Sequence, residues 1–399
     1  MFEQVQPAPP DPILGLTEAF RADPNPAKVN LAVGVYKDAD GRTPVLASVK
    51  EAERKLIESQ TTKGYLPIDG SPEYGQFVRS MLFGADSEFV GGGRTKTADT
   101  PGGTGALRVA ADYLQQNHPK AMVWLSDPTW VNHAAIFAAA GVPTYTYAYL
   151  DRQRNTLDFS AMLDALGTMR EGDVVLLHGC CHNPTGVDPT PDQWKQIAAV
   201  TKARRVVPMV DFAYQGFGEG LEEDAAGLRA IAAVHDEFLV CSSFSKNFGL
   251  YRERVGALTV VAGSPAAADA VTSQVKAVVR RNYSNPPAHG AEVVATILSD
   301  DALRSQWEGE LAGMRDRINT MRAAFAAGLD ERGVKLAPDG NGFVSRQRGM
   351  FTLSGLGQDH VVALRKKFSI YIVGSGRINV AGMTEKNLPV LCDAIAAVM

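Results

Sequence analysis

Short apolar runs alternate with helical patterns from about residue 100 to residue 262. The runs are Ala121–Ser126, Thr144–Leu150, Asp173–His178, Val206–Asp211, Glu237–Ser242 and Val255–Ala262, and the helical patterns include Ala106–Gln116 and Pro191–Ala203. Apolar runs of this length are typical of strands that are buried on both faces. The alternation predicts an α/β layer with a mostly parallel sheet flanked by helices, in which ligands bind at the carboxyl ends of the strands.

The first sixty residues have a different pattern. Residues 1–12 carry four prolines after position 6, which predicts an extended arm, and Ile13–Arg21 has the pattern of a short helix. Val29–Tyr36 is predicted as a strand. Ser48–Glu58 is predicted as a charged amphipathic helix with Ser48 as its N-cap.

After residue 290 the alternation of strands and helices stops. The sequence there predicts one long helix, short strands and a last helix, which together form a smaller α+β domain. The predicted bounds are Ala302–Arg332 for the long helix, Gly349–Ser354, Ile370–Val373 and Arg377–Ala381 for the strands, and Thr384 to the end for the last helix.

Length and composition exclude several classes of protein. The chain has 399 residues, which is too long for one compact core and predicts two or three domains. A net charge of −4 gives no basic footprint for nucleic acid, and no apolar run is long enough to cross a membrane. The first ten residues lack the features of a secretory signal, and four cysteines do not make a disulfide framework. We therefore expect a cytoplasmic protein.

Lys246 lies four residues after the end of the apolar run at Ser242, and it is close in sequence to Ser243, Ser245 and Arg254. Desolvation at the exit of a buried strand lowers the pKa of an amine and increases its nucleophilic fraction. Hydroxyl and guanidinium groups hold anions. The stretch suggests a lysine that forms a Schiff base with a phosphorylated aldehyde. The alternative is a strand end with a solvated lysine, which other residues must exclude.

Other polar groups adjoin the predicted elements, and each has a structural alternative. Gly102–Gly105 opens a helix without a clear preceding strand, and it is either a phosphate site on backbone N–H groups or a plain turn. Asp211 ends an apolar strand, where it either meets a protonated pyridine nitrogen or caps the next element. Asn183 follows another strand, and its amide can reach a ligand. Arg280 and Arg377 can each bind a carboxylate or form a structural salt bridge.

Two other catalytic or metal patterns are considered and rejected. The stretch from His178 to His182 contains two cysteines and two histidines, but its spacing is not that of a zinc site and no second ligand pair follows, so no metal is expected. Ser243 and Lys246 match the S-x-x-K pattern of penicillin-recognising serine hydrolases. The S-D-N and K-T-G elements that those enzymes also need are absent.

Taken in order, the motifs resemble those of the class I aspartate and aromatic aminotransferases. The matching segments are Thr100–Arg108, His178–Gly186, Asp211–Phe217, Ser245–Tyr251, Tyr283–Pro287 and Ser375–Gly382, and the match extends from Asp11 almost to the C-terminus. The resemblance implies a homodimeric fold-type I enzyme that uses pyridoxal 5′-phosphate. It implies an N-terminal arm at 1–12, a large cofactor-binding domain at 44–313, and a small domain made from 13–43 and 314–399.

The resemblance also assigns roles to individual residues. Lys246 would form the Schiff base with the cofactor and move the substrate proton, and Asp211 would keep the pyridine nitrogen protonated with support from His133. Tyr214 and Asn183 would hydrogen-bond the oxygen on the ring. The other implied cofactor contacts are Gly103, Thr104, Ser243 and Arg254 at the phosphate, the partner subunit's Tyr65 at the same phosphate, and Trp130 stacked on the ring. The implied substrate contacts are Arg377 at the α-carboxylate, Gly34, Trp130 and Asn183 nearby, and the partner subunit's Arg280 at the distal carboxylate.

The pattern at the pocket rim favours aspartate as substrate, with 2-oxoglutarate as the amino acceptor and ping-pong kinetics. The positions that resemble the aspartate-preferring pattern are Val35, Lys37, Thr43, Thr104 and Asn285. Gly64 and Val131 depart from the asparagine and proline expected there. An aromatic amino-acid aminotransferase with dicarboxylate side activity is the alternative. A non-catalytic pyridoxal phosphate sensor is a third hypothesis, but no segment before residue 11 is long enough for a DNA-binding module.

Overall fold

A computed structural model of the chain describes residues 1–7 and 14–399. Its strands are β1 Val29–Asn30, β2 Thr95–Pro101, β3 Val123–Asp127, β4 Thr144–Ala148, β5 Leu150–Asp151, β6 Thr156–Leu157, β7 Val174–His178, β8 Val207–Phe212, β9 Phe238–Ser243, β10 Val255–Val261, β11 Phe351–Leu353, β12 Ile370–Tyr371 and β13 Arg377–Asn379. Its α-helices are α1 Leu14–Ala22, α2 Ala47–Ser59, α3 Pro72–Phe83, α4 Glu88–Gly91, α5 Gly102–Asn117, α6 Asn132–Ala139, α7 Phe159–Thr168, α8 Pro191–Ala203, α9 Leu221–Asp224, α10 Ala226–Ala232, α11 Pro265–Asn282, α12 Ala288–Ser299, α13 Asp301–Asp330, α14 Gly342–Arg346, α15 Gln358–Phe368 and α16 Leu388–Val398. Short 3-10 helices lie at Phe2–Gln4 and Val380–Gly382.

A seven-stranded sheet in the order β2-β10-β9-β8-β7-β3-β4 forms the centre of the molecule. The pairs from β9 to β4 are all parallel, whereas β10 is antiparallel to both of its neighbours. The prediction of a mostly parallel sheet flanked by helices is confirmed, and all six predicted runs contain a strand within one or two residues of the expected bounds.

Alternate residues of the central strands enter two separate cores, one on each face of the sheet. In β7, Val175 and Leu177 belong to one apolar cluster, and Val174 and Leu176 belong to the other. This alternation follows from the two-residue period of a strand. Because helices cover both faces, every residue of β7 is buried, which explains why its sequence is apolar throughout.

Two strand predictions in the polar parts of the chain are wrong. No strand was expected before the glycines at 102–105, yet β2 leads directly into α5 there. β2 lies at the edge of the sheet and pairs only with β10, so its sequence can contain threonines and charged residues. It therefore lacks the apolar pattern by which the other strands were predicted. Of the strand predicted at Val29–Tyr36, only β1 forms. The carbonyls of Val33 and Val35 accept hydrogen bonds from the side chain of Asn379 instead of from a neighbouring strand.

The predicted N-cap role of Ser48 is also wrong, since α2 begins one residue earlier and Leu46 is the N-cap. The carboxylate of Glu310, on α13, accepts hydrogen bonds from the backbone N–H groups of Ala47 (2.7 Å) and Ser48 (3.3 Å). An acidic group from a distant helix thus satisfies the free N–H groups of α2, which a local pattern does not reveal.

The two ends of the chain differ in detail from the predictions. Residues 1–7 include the 3-10 helix at Phe2–Gln4, whereas the rest of the predicted arm and the start of the predicted helix at Ile13 lie outside the described residues. The last helix begins at Leu388 and not at Thr384, because Thr384 and Asn387 exchange hydrogen bonds in a turn before it.

The region after residue 300 consists of α13, the short strand pair β11–β13, the strand β12, the 3-10 helix at Val380–Gly382, and α14 to α16. β12 pairs with β1 from the start of the chain. α13 runs for 30 residues and crosses residue 313 without interruption. The division into an arm, a large domain and a small domain therefore stays a prediction. Among the described helices, none combines the length and apolar character needed to cross a membrane.

Candidate active site

A cavity of about 400 Å³ opens at the carboxyl ends of β7, β8 and β9. Eleven of the predicted site residues line it: Gly34, Gly103, Thr104, Trp130, Asn183, Asp211, Tyr214, Ser243, Lys246, Arg254 and Arg377. Parallel strands bring their carboxyl ends to one edge of a sheet, which is why residues far apart in sequence meet here. The charged groups in the lining are three cations and one carboxylate, an arrangement that favours an anionic ligand.

Lys246 lies on the turn that follows β9, and a buried aromatic pair holds this turn in place. Phe248 stacks on Trp307 of α13 with ring centroids 4.2 Å apart, and the Trp307 indole donates to the carbonyl of Asn247 (2.8 Å). The Lys246 amine lies 4.7 Å from the centre of the Tyr214 ring. Burial lowers the pKa of Lys246 to about 8, so more of the amine is unprotonated near neutral pH than for an ordinary lysine.

Asp211 is connected to Asn183 by a directional chain of hydrogen bonds. The backbone N–H of Asn183 donates to His178 Nδ1 (3.4 Å), and His178 Nε2 donates to the hydroxyl of Thr129 (3.0 Å). That hydroxyl donates to His133 Nδ1 (2.8 Å), and His133 Nε2 donates to Asp211 Oδ2 (2.9 Å). The direction is fixed because an N–H lies at one end and a carboxylate at the other.

This chain of bonds keeps Asp211 ionised. Burial alone raises the pKa of the Asp211 carboxyl, but the hydrogen bond from His133 and the nearby charge of Lys246 outweigh it, and the pKa lies below its usual range. Burial lowers the pKa of His178 to about 3, which keeps that imidazole neutral as the bond directions require. The predicted position of His133 behind Asp211 agrees with the geometry, and the part played by His178 was missed.

The first turn of α5 forms an anion site together with the end of β9. Gly102 has a φ of +76°, and a Cβ on it would lie 2.2 Å from Nη2 of Arg254. A Cβ on Gly103 would lie 3.0 Å from Cβ of Ser243. Arg254 Nη1 donates to the hydroxyl of Ser245 (3.3 Å). Free N–H groups and the positive end of the helix dipole add to the guanidinium and hydroxyls, so the site suits a phosphate.

Arg377 enters the cavity from β13 and is 4% exposed. Nη1 donates to Oδ1 of Asn183 (3.1 Å), Nη2 donates to the carbonyl of Ala32 (2.7 Å), and Nε has no partner among the described residues. The Phe351 ring lies under the guanidinium, 4.3 Å from Cζ to the ring centre. Burial lowers the pKa of Arg377 to about 10, which leaves it a cation at neutral pH. A buried cation with unused N–H groups suits a ligand carboxylate.

Tyr65 and Arg280 do not enter the cavity of their own chain. The Tyr65 side chain is 95% exposed, and Arg280 is exposed at the end of α11, where its guanidinium bonds the hydroxyl of Ser284. These are the two residues that were expected to act from a partner subunit.

Two cysteines of the rejected zinc pattern lie beside a buried carboxyl group. Cys180, Cys181 and Asp224 lie close together and are buried. Asp224, however, accepts backbone hydrogen bonds from Gly216, Gly218 and Glu219. These bonds satisfy the oxygens of this buried carboxyl group.

Comparison with known proteins places this geometry in a family. A family model described as "Aminotransferase class I and II" matches residues 26–395. The chain is 55% identical to an aspartate aminotransferase of Escherichia coli and 47% identical to an aromatic-amino-acid aminotransferase of Pseudomonas aeruginosa, covering 100% of this chain in both cases and 100% and 98% of the relatives. The crystal structure of an aromatic-amino-acid aminotransferase from Burkholderia pseudomallei, covalently bound to pyridoxal phosphate, superposes with a TM-score of 0.96 at 49% identity, covering 100% of this chain and 99% of that one. With a lysine, an anion site and a buried arginine around one cavity, and with similarity over its whole length, the chain belongs to the class I and II aminotransferases.

Proposed function

We propose that the protein is an aspartate aminotransferase that moves the amino group of L-aspartate to 2-oxoglutarate, giving oxaloacetate and L-glutamate. The observation that carries the proposal is that Lys246 and the buried Arg377 face one cavity together with the anion-binding groups of Gly103, Ser243 and Arg254. Full-length similarity to aspartate aminotransferases supports it.

The residues present fit pyridoxal 5′-phosphate as the cofactor. The glycines of α5, which leave no room for a Cβ, would hold the phosphate together with Thr104, Ser243 and Arg254. Asp211 Oδ2 accepts a hydrogen bond from His133. The negative charge of the Asp211 carboxylate would keep a pyridine nitrogen protonated. Tyr214 and Asn183 would bond the ring oxygen, and Trp130 would cover the ring. When bound, the cofactor supplies an electron-withdrawing ring that stabilises negative charge at the substrate α-carbon.

The chain's own side chains would then bind the substrate and move a proton. Arg377 would bind the α-carboxylate with the N–H groups that Asn183 and Ala32 leave free, next to Gly34 and Trp130. Lys246 would take the proton from the α-carbon. Its pKa of about 8 is close to working pH, which suits a general base.

We further propose a homodimer in which the partner subunit's Arg280 binds the distal carboxylate and the partner subunit's Tyr65 bonds the phosphate. The exposure of both residues, outside the cavity of their own chain, supports this arrangement. The predicted domain division, with a large domain at 44–313, is part of the same proposal. A cytoplasmic location is supported by four buried cysteines that are all free thiols.

Mixing two variants that are each impaired with aspartate tests the shared site. In a homodimer of Lys246→Ala, both active sites lack the lysine. In a homodimer of Arg280→Ala, both active sites lack the arginine. A hybrid dimer has one site with both residues intact, so unfolding and refolding a mixture should restore about a quarter of wild-type aspartate turnover, as random pairing predicts. No gain above the separate variants would contradict the shared site. Refolding each variant alone is the control.

An aromatic amino-acid aminotransferase is the second candidate, and the apolar part of the cavity lining favours it. Leu107, Trp130, Val131 and Phe351 line the cavity, and Val131 is 50% exposed at its edge. Measuring kcat/KM for aspartate, tyrosine and phenylalanine with 2-oxoglutarate separates the candidates. Because even a single hydrogen bond between a second carboxylate and a guanidinium contributes about 1.5–3 kcal/mol, we expect aspartate to be favoured over phenylalanine by at least about tenfold. A preference for phenylalanine would establish the second candidate.

A further inference from the structure

Arg322 is a fully buried cation that no assigned role explains. It lies on α13, is 1% exposed, and forms no ion pair with any carboxylate in the described part of the chain. Burial lowers the pKa of Arg322 to about 10, so it stays protonated at neutral pH. Burying an unpaired charge is costly unless its N–H groups are hydrogen-bonded.

Backbone carbonyls of one short segment, residues 344–351, take the place of a carboxylate partner. Nη1 donates to the carbonyl of Val344 (3.3 Å), and Nη2 lies within bonding distance of the carbonyls of Arg348 (3.2 Å), Gly349 (2.6 Å) and Phe351 (2.5 Å). The guanidinium therefore fixes the path of the backbone that leads into β11. Carbonyl dipoles also disperse its charge without neutralising it.

The same segment contacts the loop that carries Asn183. The N–H of Arg348 donates to the carbonyl of Gly186 (2.7 Å), and a Cβ on Gly186 would lie 2.7 Å from the Phe351 carbonyl oxygen. On Gly349, a Cβ would lie 2.3 Å from Cβ of Cys181. Contacts this close leave little freedom for the two backbones to shift independently. The position of residues 348–351 is thus set from one side by Arg322 and from the other by the Asn183 loop.

The side chain of Phe351 connects the backbone of residues 348–351 to the cavity. Its ring lies under the Arg377 guanidinium at 4.3 Å and meets the Tyr214 ring edge-on at 6.1 Å. A Cβ on Gly34 would lie only 2.6 Å from the tip of the same ring. A shift of the Phe351 backbone therefore moves the surface on which Arg377 rests.

We propose that Arg322 is a positioning residue for substrate binding: by holding the carbonyls of residues 344–351, it places the Phe351 ring and so orients Arg377 toward the substrate carboxylate. The inference rests on the proposed function, because that function assigns a carboxylate to Arg377. A lysine cannot replace Arg322, since all its donors are on one nitrogen, whereas the guanidinium spreads them over a planar fork.

Binding of succinate to Arg322→Lys tests the proposal without catalysis. Succinate carries two carboxylates, as aspartate does, but it has no amino group. Displacement of a binding group by about 1 Å costs up to about a hundredfold, so we expect the succinate Kd of the holoenzyme, measured by calorimetry, to rise by about ten- to a hundredfold. Arg204→Lys is the control, because Arg204 also donates twice to a backbone carbonyl, that of Met169, but far from the cavity. Its Kd should stay unchanged.

A double-mutant cycle with Phe351→Leu separates positioning from general loss of structure. If Arg322 acts through the Phe351 ring, Arg322→Lys should raise the Kd much less in the Phe351→Leu background than in the wild type. A lower Tm with an unchanged succinate Kd would overturn the proposal, and so would equal effects of Arg322→Lys in both backgrounds. Failure of the wild-type protein to transaminate aspartate would refute the proposed function alone, since the succinate Kd ratio would still test the role of Arg322.

Discussion

Replacing Arg377 should remove most of the binding energy for the substrate α-carboxylate. A guanidinium has five N–H groups. In the structure one of them is bonded to Asn183 and one to Ala32, so three stay free for a ligand. A carboxylate fork uses two of these. At about 1.5–3 kcal/mol for each hydrogen bond to a charged group, the fork contributes about 3–6 kcal/mol.

Arg377→Ala should therefore lower kcat/KM for aspartate and for 2-oxoglutarate by about a hundredfold to ten-thousandfold, because each 1.4 kcal/mol is a factor of about ten. Arg377→Lys keeps the charge but loses the fork, so we expect a loss of about ten- to a hundredfold. Steady-state kinetics with both substrates measure these losses. The visible absorbance of the bound cofactor and the Tm serve as controls for an intact site. If Arg377→Ala, with both controls unchanged, kept kcat/KM within about threefold of wild type, the assignment of the α-carboxylate to Arg377 would be wrong.

Further predictions concern the lysine, the second arginine and the core. Borohydride should attach the cofactor covalently to the wild-type chain but not to Lys246→Ala, as measured by the absorbance of the cofactor that stays with the protein. Covalent attachment to Lys246→Ala would exclude Lys246 as the attachment site. Because only an unprotonated amine reacts and burial lowers the pKa of Lys246 to about 8, capture of added pyridoxal phosphate by the apoprotein should speed up until about pH 8 and then level off. A rise continuing to pH 10, as for an ordinary lysine, would contradict the lowered pKa. Arg280→Ala should lower kcat/KM at least about tenfold for aspartate but less than about twofold for phenylalanine, and equal losses would count against two-arginine recognition. Trp307→Ala should destabilise the fold by about 3–5 kcal/mol in urea unfolding, and a loss below about 1 kcal/mol would contradict the packing of Trp307 on the Lys246 turn.

The central sheet was predictable because its strands are apolar on both faces. β7, β8 and β9 are buried at nearly all positions, so each reads as a continuous apolar run. β2 escaped prediction because its edge position tolerates threonine, lysine and aspartate. The helix cap at Ser48 was assigned wrongly because the capping carboxylate belongs to Glu310, more than 260 positions away.

In the site, residues with a chemical signature were predictable and residues that act through packing were not. Asp211 lies near the end of β8 and Lys246 lies three residues after β9, and a charged residue stands out beside an apolar strand. Phe351 carries no polar group, and its place under Arg377 arises from the pairing of β11 with β13. Arg322 is one of several arginines on α13, and only the fold shows that its partners are carbonyls.

Formation of oxaloacetate from aspartate and 2-oxoglutarate by the purified holoenzyme is the decisive test of the proposed transamination. Initial rates should be measured over a grid of both substrate concentrations. We expect oxaloacetate formation with parallel double-reciprocal lines, because the amino group stays on the enzyme between the departure of one oxo acid and the binding of the next. Lack of oxaloacetate formation, or lines that intersect as in a ternary-complex mechanism, would contradict it.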